Sequence, residues 1–301
     1  MASPQALKLK EAFRQFRNET LAKPEASLDE MRANALGFSQ LTAEPEDVRY
    51  ESVDAGGVPA QWIIPTGAVE DRVLQYVHGG GYVLMSAETH RKLVGHIAKA
   101  IGCRALNVDY RLAPEHPHPA AVEDSLTAYR WLLGQGIEPG HIAIAGDSAG
   151  GGLCLSTALK IRDEGIALPA ALVPLSPWTD MAGTGESMTT RADLDMIVTP
   201  NAIVQLSQVF LAGGDPHDPY ASPHYADLKG LPATYIQVGD EEVLLDDALR
   251  FAAKARQAGV DVHIDVFPEM QHVFQIAAGN LPEADDAIEK IGTWLRPRLG
   301  L

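Results

Sequence analysis

His141-Ile-Ala-Ile-Ala-Gly146-Asp147-Ser148-Ala149-Gly150-Gly151 is the stretch on which the reading of this chain turns. A short apolar run, His141 to Ala145, leads into Gly-x-Ser-x-Gly, and Ala149 to Asp163 continues with apolar residues at three- and four-residue spacing. That is the pattern of a strand, a sharp turn and a helix. So tight a turn forces its central residue into strained backbone geometry, and a side chain at Gly146 or Gly150 would collide with the neighbouring strand and helix. Ser148 Oγ is therefore expected clear of a sheet, at a helix N-terminus whose amides favour developing negative charge. A glycine-rich turn that merely starts a helix would look the same in isolation, so the case rests on what surrounds it.

Outward from this turn, apolar runs at Arg72 to Val77, Arg104 to Val108, Ala171 to Leu175, Thr234 to Val238 and Val262 to Phe267 alternate with helical patterns. The helices are expected at Ala87 to Ile101, Ala120 to Leu133, Asp246 to Ala258 and Pro282 to Leu295. Such alternation predicts an α/β fold, a mostly parallel sheet with helices on both faces. Val48 to Val53 and Ala60 to Ile64 flank Asp54-Ala55-Gly56-Gly57, a hairpin-type turn that predicts an antiparallel start and about eight strands in all. Residues 1–45 and 180–228 fit no strand and helix alternation; each holds helical stretches joined by Pro, Gly and Asp. Both are expected to form a helical cap over the carboxyl edge of the sheet, where open α/β folds bind ligands. In that division 46–301 is the catalytic domain, 1–45 the N-terminal part of the cap and 180–228 its inserted second part. An amphipathic N-terminal helix would equally suit a dimer arm.

The 301 residues are 46% apolar, enough for one large core and a cap. With 24 Lys and Arg against 40 Asp and Glu, the formal charge is -16, which repels nucleic acid and anionic membrane surfaces. Small neutral or apolar molecules suit it better. No stretch approaches the roughly 20 apolar residues needed to span a bilayer, and Met1 to Arg17 lacks a signal-peptide core, so a soluble cytoplasmic protein is expected. Cys103 and Cys154 read as reduced, buried thiols. Neither has a second Cys or a His at metal-ligand spacing, so no zinc site is expected, and hydrolysis by a serine nucleophile would need no metal or organic cofactor.

Acyl transfer from Ser148 needs donors for an oxyanion, and His78-Gly79-Gly80-Gly81-Tyr82 follows the strand ending at Val77. Bare glycine amides approach a substrate oxygen closely, so the hole is assigned to the amides of Gly79, Gly80 and Ala149. A phosphate-binding loop would carry a downstream Lys-Ser/Thr, which is absent. His78 is read as shaping the loop. A serine hydroxyl also needs a base, and His272 in Pro268-Glu-Met-Gln-His272-Val-Phe follows the last strand, where a loop folds back over the carboxyl edge. The base in turn needs a carboxylate, and the loop after Val238 offers Asp240, Glu241, Glu242, Asp246 and Asp247. On the residues alone Asp240 and Glu242 both stand.

Together these motifs resemble the hormone-sensitive-lipase-like family of α/β-hydrolases, bacterial esterases with a His-Gly-Gly-Gly loop and a Gly-Asp-Ser-Ala-Gly elbow. The likeness extends to Tyr110-Arg111-Leu112-Ala113-Pro114-Glu115, to Ser176-Pro177-Trp178, and to Ala221-Ser222-Pro223 ahead of Asp227-Leu228-Lys229-Gly230-Leu231-Pro232. It implies the α/β-hydrolase fold and a triad acid in an Asp-Pro-Leu-x-Asp run. Laid on Glu242-Val243-Leu244-Leu245-Asp246, that run puts Glu242 at the catalytic position, a glutamate in place of the usual aspartate. The chain order Ser148, Glu242, His272 then follows the family's order of nucleophile, acid and base. The resemblance implies a serine carboxylesterase acting on short to medium acyl chains. An amidase or peptidase would share the triad. A non-catalytic receptor on this fold, known in plants, would have lost the triad histidine, yet His272 is present. A dehalogenase or epoxide hydrolase would need Asp at Ser148. Val262 to Phe267 is expected to be an edge strand, through which two copies could pair as a homodimer.

Overall fold

The computed structural model describes residues 2–21 and 26–301; Met1 and residues 22–25, part of the expected N-terminal cap, lie outside them. One sheet holds eight strands: β1 (Val48–Asp54), β2 (Pro59–Pro65), β3 (Val69–Val77), β4 (Cys103–Val108), β5 (Ile142–Asp147), β6 (Ala171–Leu175), β7 (Ala233–Gly239) and β8 (Val262–Phe267). Their order is β1-β2-β4-β3-β5-β6-β7-β8. β2 runs antiparallel to both β1 and β4, and every later pairing is parallel. The helices are α1 (Pro4–Leu21), α2 (Leu28–Ala35), α3 (Ala87–Ile101), α4 (Ala120–Gly134), α5 (Ala149–Asp163), α6 (Ser187–Thr190), α7 (Pro200–Leu211), α8 (Leu245–Gln257) and α9 (Pro282–Leu295).

The central strands are apolar throughout because both sheet faces are covered; every residue of β5 and β6 is buried. On one face Leu126, Tyr129, Leu155, Leu159 and Phe251 of α4, α5 and α8 pack in one core. On the other, Leu93, Ile97, Ile288 and Ile291 of α3 and α9 build a second. The first hairpin turns as its residues require: Gly56 and Gly57 take φ of 76° and 96°, and Asp54 Oδ1 accepts the Gly57 amide at 2.6 Å. β3 begins at Val69, ahead of the apolar run at Arg72, because exposed Glu70 and Asp71 interrupt the hydrophobic pattern while the backbone passes through a bulge between Val69 and Val73.

Residues 2–21, 26–45 and 180–228 rest on the loops leaving the carboxyl ends of β3 and β4, and on each other. Arg32 of α2 donates to the carbonyls of Val83 (3.0 Å) and Ala113 (3.1 Å). Phe210 of α7 stacks on Tyr82, ring centroids 3.8 Å apart. Arg17 of α1 donates to the Asp195 carbonyl at 2.9 Å.

Where residue 180 leaves the sheet it is fastened by Asp247 of α8, which is buried and whose Oδ2 accepts the amides of Thr179 (2.7 Å) and Asp180 (2.9 Å). Burial, with the charge of Asp180 beside it, outweighs these amides and pushes the Asp247 carboxyl up to about 7. Between the ordinary aspartate value, about 4, and 7 the unfolded chain binds fewer protons at this group than the folded one, so its contribution to stability falls as pH rises through that window. Asp247→Asn keeps an oxygen for the amides and never charges. Its melting temperature should rise by about 2 °C or more at pH 8 and stay near that of the parent at pH 5, read by calorimetry at both pH values.

Candidate active site

β5 ends at Asp147 and α5 begins at Ala149, leaving Ser148 on the turn between them with φ 55° and ψ -119°. For a residue with a Cβ that conformation costs about 1–3 kcal/mol and persists only where the surroundings over-determine it. Here the Ser148 amide donates to Leu175 O at 2.8 Å, and its carbonyl accepts from the amides of Trp178 (2.9 Å) and Gly152 (3.1 Å). The flanking glycines are obligatory for the reason expected: a Cβ on Gly146 would lie 2.4 Å from Val77 O, and one on Gly150 2.0 Å from the same oxygen. Elbow and β3 thus meet backbone to backbone, which sets the glycine loop after Val77 beside Ser148.

His272 lies in the turn after β8 and is buried, as is Glu242 just past β7. The structure brings these two together: His272 Nδ1 and Glu242 Oε2 are 2.6 Å apart. A carboxylate only accepts, so Nδ1 carries the proton and Nε2 is left as the basic nitrogen. Glu242 Oε1 accepts from the Gly239 amide (2.7 Å) and from Ser176 Oγ (2.8 Å), and Ser176 Oγ in turn accepts the Val273 amide at 3.1 Å. Ser176, next to the Leu175 that holds the elbow, therefore ties Glu242 to the histidine loop. Ser148 Oγ has no hydrogen-bond partner among the described residues, so no Ser148–His272 bond is closed in this structure. The other carboxylates of the acidic loop are engaged elsewhere. Asp240 Oδ1 accepts the Glu269 amide at 2.6 Å, Glu241 pairs with Lys10 at 2.6 Å, and Asp246 accepts the Ser187 amide at 2.9 Å.

The glycine loop stands on a buried polar network. Asp147 Oδ1 accepts Tyr76 Oη at 2.7 Å and the Gly79 amide at 3.1 Å, while His90 Nε2 lies 3.3 Å from its Oδ2. Burial opposes charge on Asp147, but His90 and the Tyr76 hydroxyl outweigh it and hold the carboxyl below its usual range. This corrects the expectation for Gly79: its single N–H is taken by Asp147 and is not free for an oxyanion. Gly80 and Gly81, at φ 105° and 65°, have amides that donate to no acceptor among the described residues. The Ala149 amide, first in α5, lies outside the helical ladder. His78 stacks on Tyr110 at 4.3 Å and its Nδ1 donates to Gly79 O at 2.7 Å. Burial and the neighbouring His90 bring it down to about 4, so it is neutral and shapes the loop.

The family model described as alpha/beta hydrolase fold matches residues 74–276, from β3 to the turn beyond His272. An acetyl-hydrolase of Streptomyces hygroscopicus is 44% identical over 263 residues, 87% of this chain and 86% of that protein. The chain belongs to the α/β-hydrolase family. Within it the hydrolase is similar in structure to an esterase from the bacterial hormone-sensitive lipase family, at 45% identity and a TM-score of 0.95 with 100% of both chains covered. EstE5, solved after soaking with p-nitrophenyl butyrate, is 43% identical with a TM-score of 0.92 over 100% of both chains. An esterase of Acinetobacter venetianus is 36% identical over 83% of this chain and 81% of its own length.

Two residues around the hydrolase's site have no role that the sequence alone assigns: Ser176 stands within the Ser-Pro-Trp run and Asp147 within the Gly-Asp-Ser-Ala-Gly elbow, but neither motif tells that Ser176 Oγ meets Glu242 or that Asp147 takes the Gly79 amide. Among the described residues no group of three or more His, Cys, Asp or Glu is arranged to hold a metal ion, and no helix is long and apolar enough to cross a membrane. Burial disfavours a charged His272, but the charge and hydrogen bond of Glu242, with Asp195 and Asp147 behind it, prevail and raise the imidazole above its ordinary value. If His272 is the base, it must be unprotonated to act, so kcat/KM should fall on the acid side with a midpoint above about 6.5, read from a pH profile of ester hydrolysis.

Proposed function

We propose that this carboxylic ester hydrolase cleaves short to medium acyl-chain esters by two-step acyl transfer through Ser148. His272 Nε2 takes the Ser148 hydroxyl proton as Oγ bonds to the ester carbonyl carbon, and the oxyanion is held by the amides of Gly80 and Ala149, with Gly81 in the place first given to Gly79. The proton then passes to the departing alcohol oxygen as the C–O bond breaks, leaving an acyl-enzyme. Water, deprotonated by the same His272, attacks that ester, and the acid leaves as Ser148 recovers its proton. Glu242 keeps the imidazole in the required tautomer and stabilises its protonated form. The observation that carries this reading is the 2.6 Å contact of His272 Nδ1 with a fully buried Glu242, on loops laced by Ser176 to the strand that holds the Ser148 elbow.

Residues 1–45 and 180–228 are the cap in this reading; what supports it is the packing of Arg32 and Phe210 on the loops after β3 and β4. The buried, unpaired thiols of Cys103 and Cys154 suit a reducing cytoplasm. The free side of edge strand β8 is the surface through which a homodimer would pair, a matter for light scattering on the purified protein. The function is tested with p-nitrophenyl esters of increasing acyl length. The expected kcat/KM is greatest for acetate to hexanoate and falls steeply for longer chains. A maximum at palmitate, or turnover of anilides but not esters, would overturn it.

A further inference from the structure

Asp195, between α6 and α7, is fully buried and lies beside the residue after Glu242 and within the electrostatic reach of His272. Its Oδ1 accepts the amides of Ile197 (3.0 Å) and Val198 (2.8 Å), and its Oδ2 accepts that of Val243 (3.0 Å), the residue after Glu242. Gln271, the residue before His272, reaches the same segment from the other loop. Its Oε1 accepts the Met196 amide (2.7 Å), and its Nε2 donates to Leu194 O (3.1 Å) and to Glu241 Oε2 (2.6 Å). α1 closes the clamp from outside through Arg17 on Asp195 O, Arg14 on Met196 Sδ (3.4 Å) and Lys10 on Glu241. A strap from Leu194 to Val198 is thereby bonded to the neighbour of the acid and to the neighbour of the base.

We propose that Asp195 is a positioning residue, which holds Glu242 in register with His272 by fixing the Val243 amide and so couples the 180–228 segment to the strength of the base. The inference rests on the triad reading above. A neutral side chain would spare the chain the cost of burying a carboxylate; burial pushes this one up to about 6, against the pull of His272 and the three amides. The groups facing His272 are Glu242 from the acid loop, Asp147 at the end of β5 and Asp195 from the strap. Arg17 meets the Asp195 backbone, and Lys10 and Gln271 are joined through Glu241. An imidazolium forming at His272 is therefore stabilised by Asp195 as well as by Glu242.

The test is a pH profile of p-nitrophenyl butyrate hydrolysis by the full chain and by Asp195→Asn and Asp195→Glu, with melting temperatures recorded. D195N should lower kcat about 10-fold with KM within about two-fold, and should move the acid limb of kcat/KM to lower pH, because a negative charge that favours protonated His272 is gone. D195E keeps the charge but misplaces the acceptor, so kcat should fall while the acid limb stays. If neither variant folds, Gln271→Ala, which severs the strap from the histidine loop, must lower kcat with KM kept. Folded variants with parental kcat and acid limb, or losses confined to KM and melting temperature, overturn the inference. His272→Ala distinguishes the two readings: if it retains turnover the triad itself is wrong, whereas if it is inactive and D195N is unaffected only the role of Asp195 fails.

Discussion

Ser148→Ala should lower kcat/KM for p-nitrophenyl butyrate by about 10,000-fold or more and leave the melting temperature within a few degrees of the parent. The magnitude follows from removing the atom that forms the acyl-enzyme, since what remains is catalysis by the oxyanion donors and binding alone. The fold survives because the elbow is held by the backbone of residue 148: its amide on Leu175 O and its carbonyl under Trp178 and Gly152 are untouched by losing Oγ. Steady-state kinetics and a thermal melt on the same sample read both halves. A folded variant with retained turnover would place the nucleophile elsewhere.

The second large effect separates two carboxylates that stand two positions apart. Glu242→Gln should lower kcat by about 10,000-fold, the cost expected when an orienting carboxylate becomes an amide. Glu242 accepts on both oxygens, from His272 on one and from Gly239 and Ser176 on the other. Glutamine has a single oxygen. If that oxygen serves Gly239 and Ser176, its NH2 faces His272 Nδ1 and forces the proton onto Nε2, where the imidazole no longer accepts from Ser148. Asp240→Asn keeps an acceptor for the Glu269 amide and should stay within about two-fold of the parent. The reverse pattern would make Asp240 the acid.

These effects also mark how far the sequence could be read. The elbow was legible because its cause is local: a strand period, a helix period, and two glycines whose Cβ atoms would strike Val77 O. The parallel sheet followed from apolar runs between helical patterns, and the Asp54 to Gly57 hairpin from its turn residues. Illegible features depend on contacts across long separations. Asp240 and Glu242 lie in one acidic loop and the residues alone leave both standing; the family resemblance puts Glu242 first, and the path of the loop sends it into the buried notch beside Ser176 and His272. Likewise, three consecutive glycines read alike until Asp147 claims the Gly79 amide, which shifts the free donors one residue along the loop. Asp195 sits in a stretch without periodicity, and its meaning appears only when Val243 is folded against it.

The most direct test of the triad is intact-mass analysis after incubation with an organophosphate ester such as diethyl p-nitrophenyl phosphate, followed by peptide mapping. The phosphoryl group should appear once per chain, on Ser148, in step with loss of esterase activity. It should be absent from Ser148→Ala and form far more slowly in His272→Ala. Inactivation with the label on another residue, or continued hydrolysis by fully labelled protein, would contradict a mechanism in which Ser148 is the nucleophile and His272 its base.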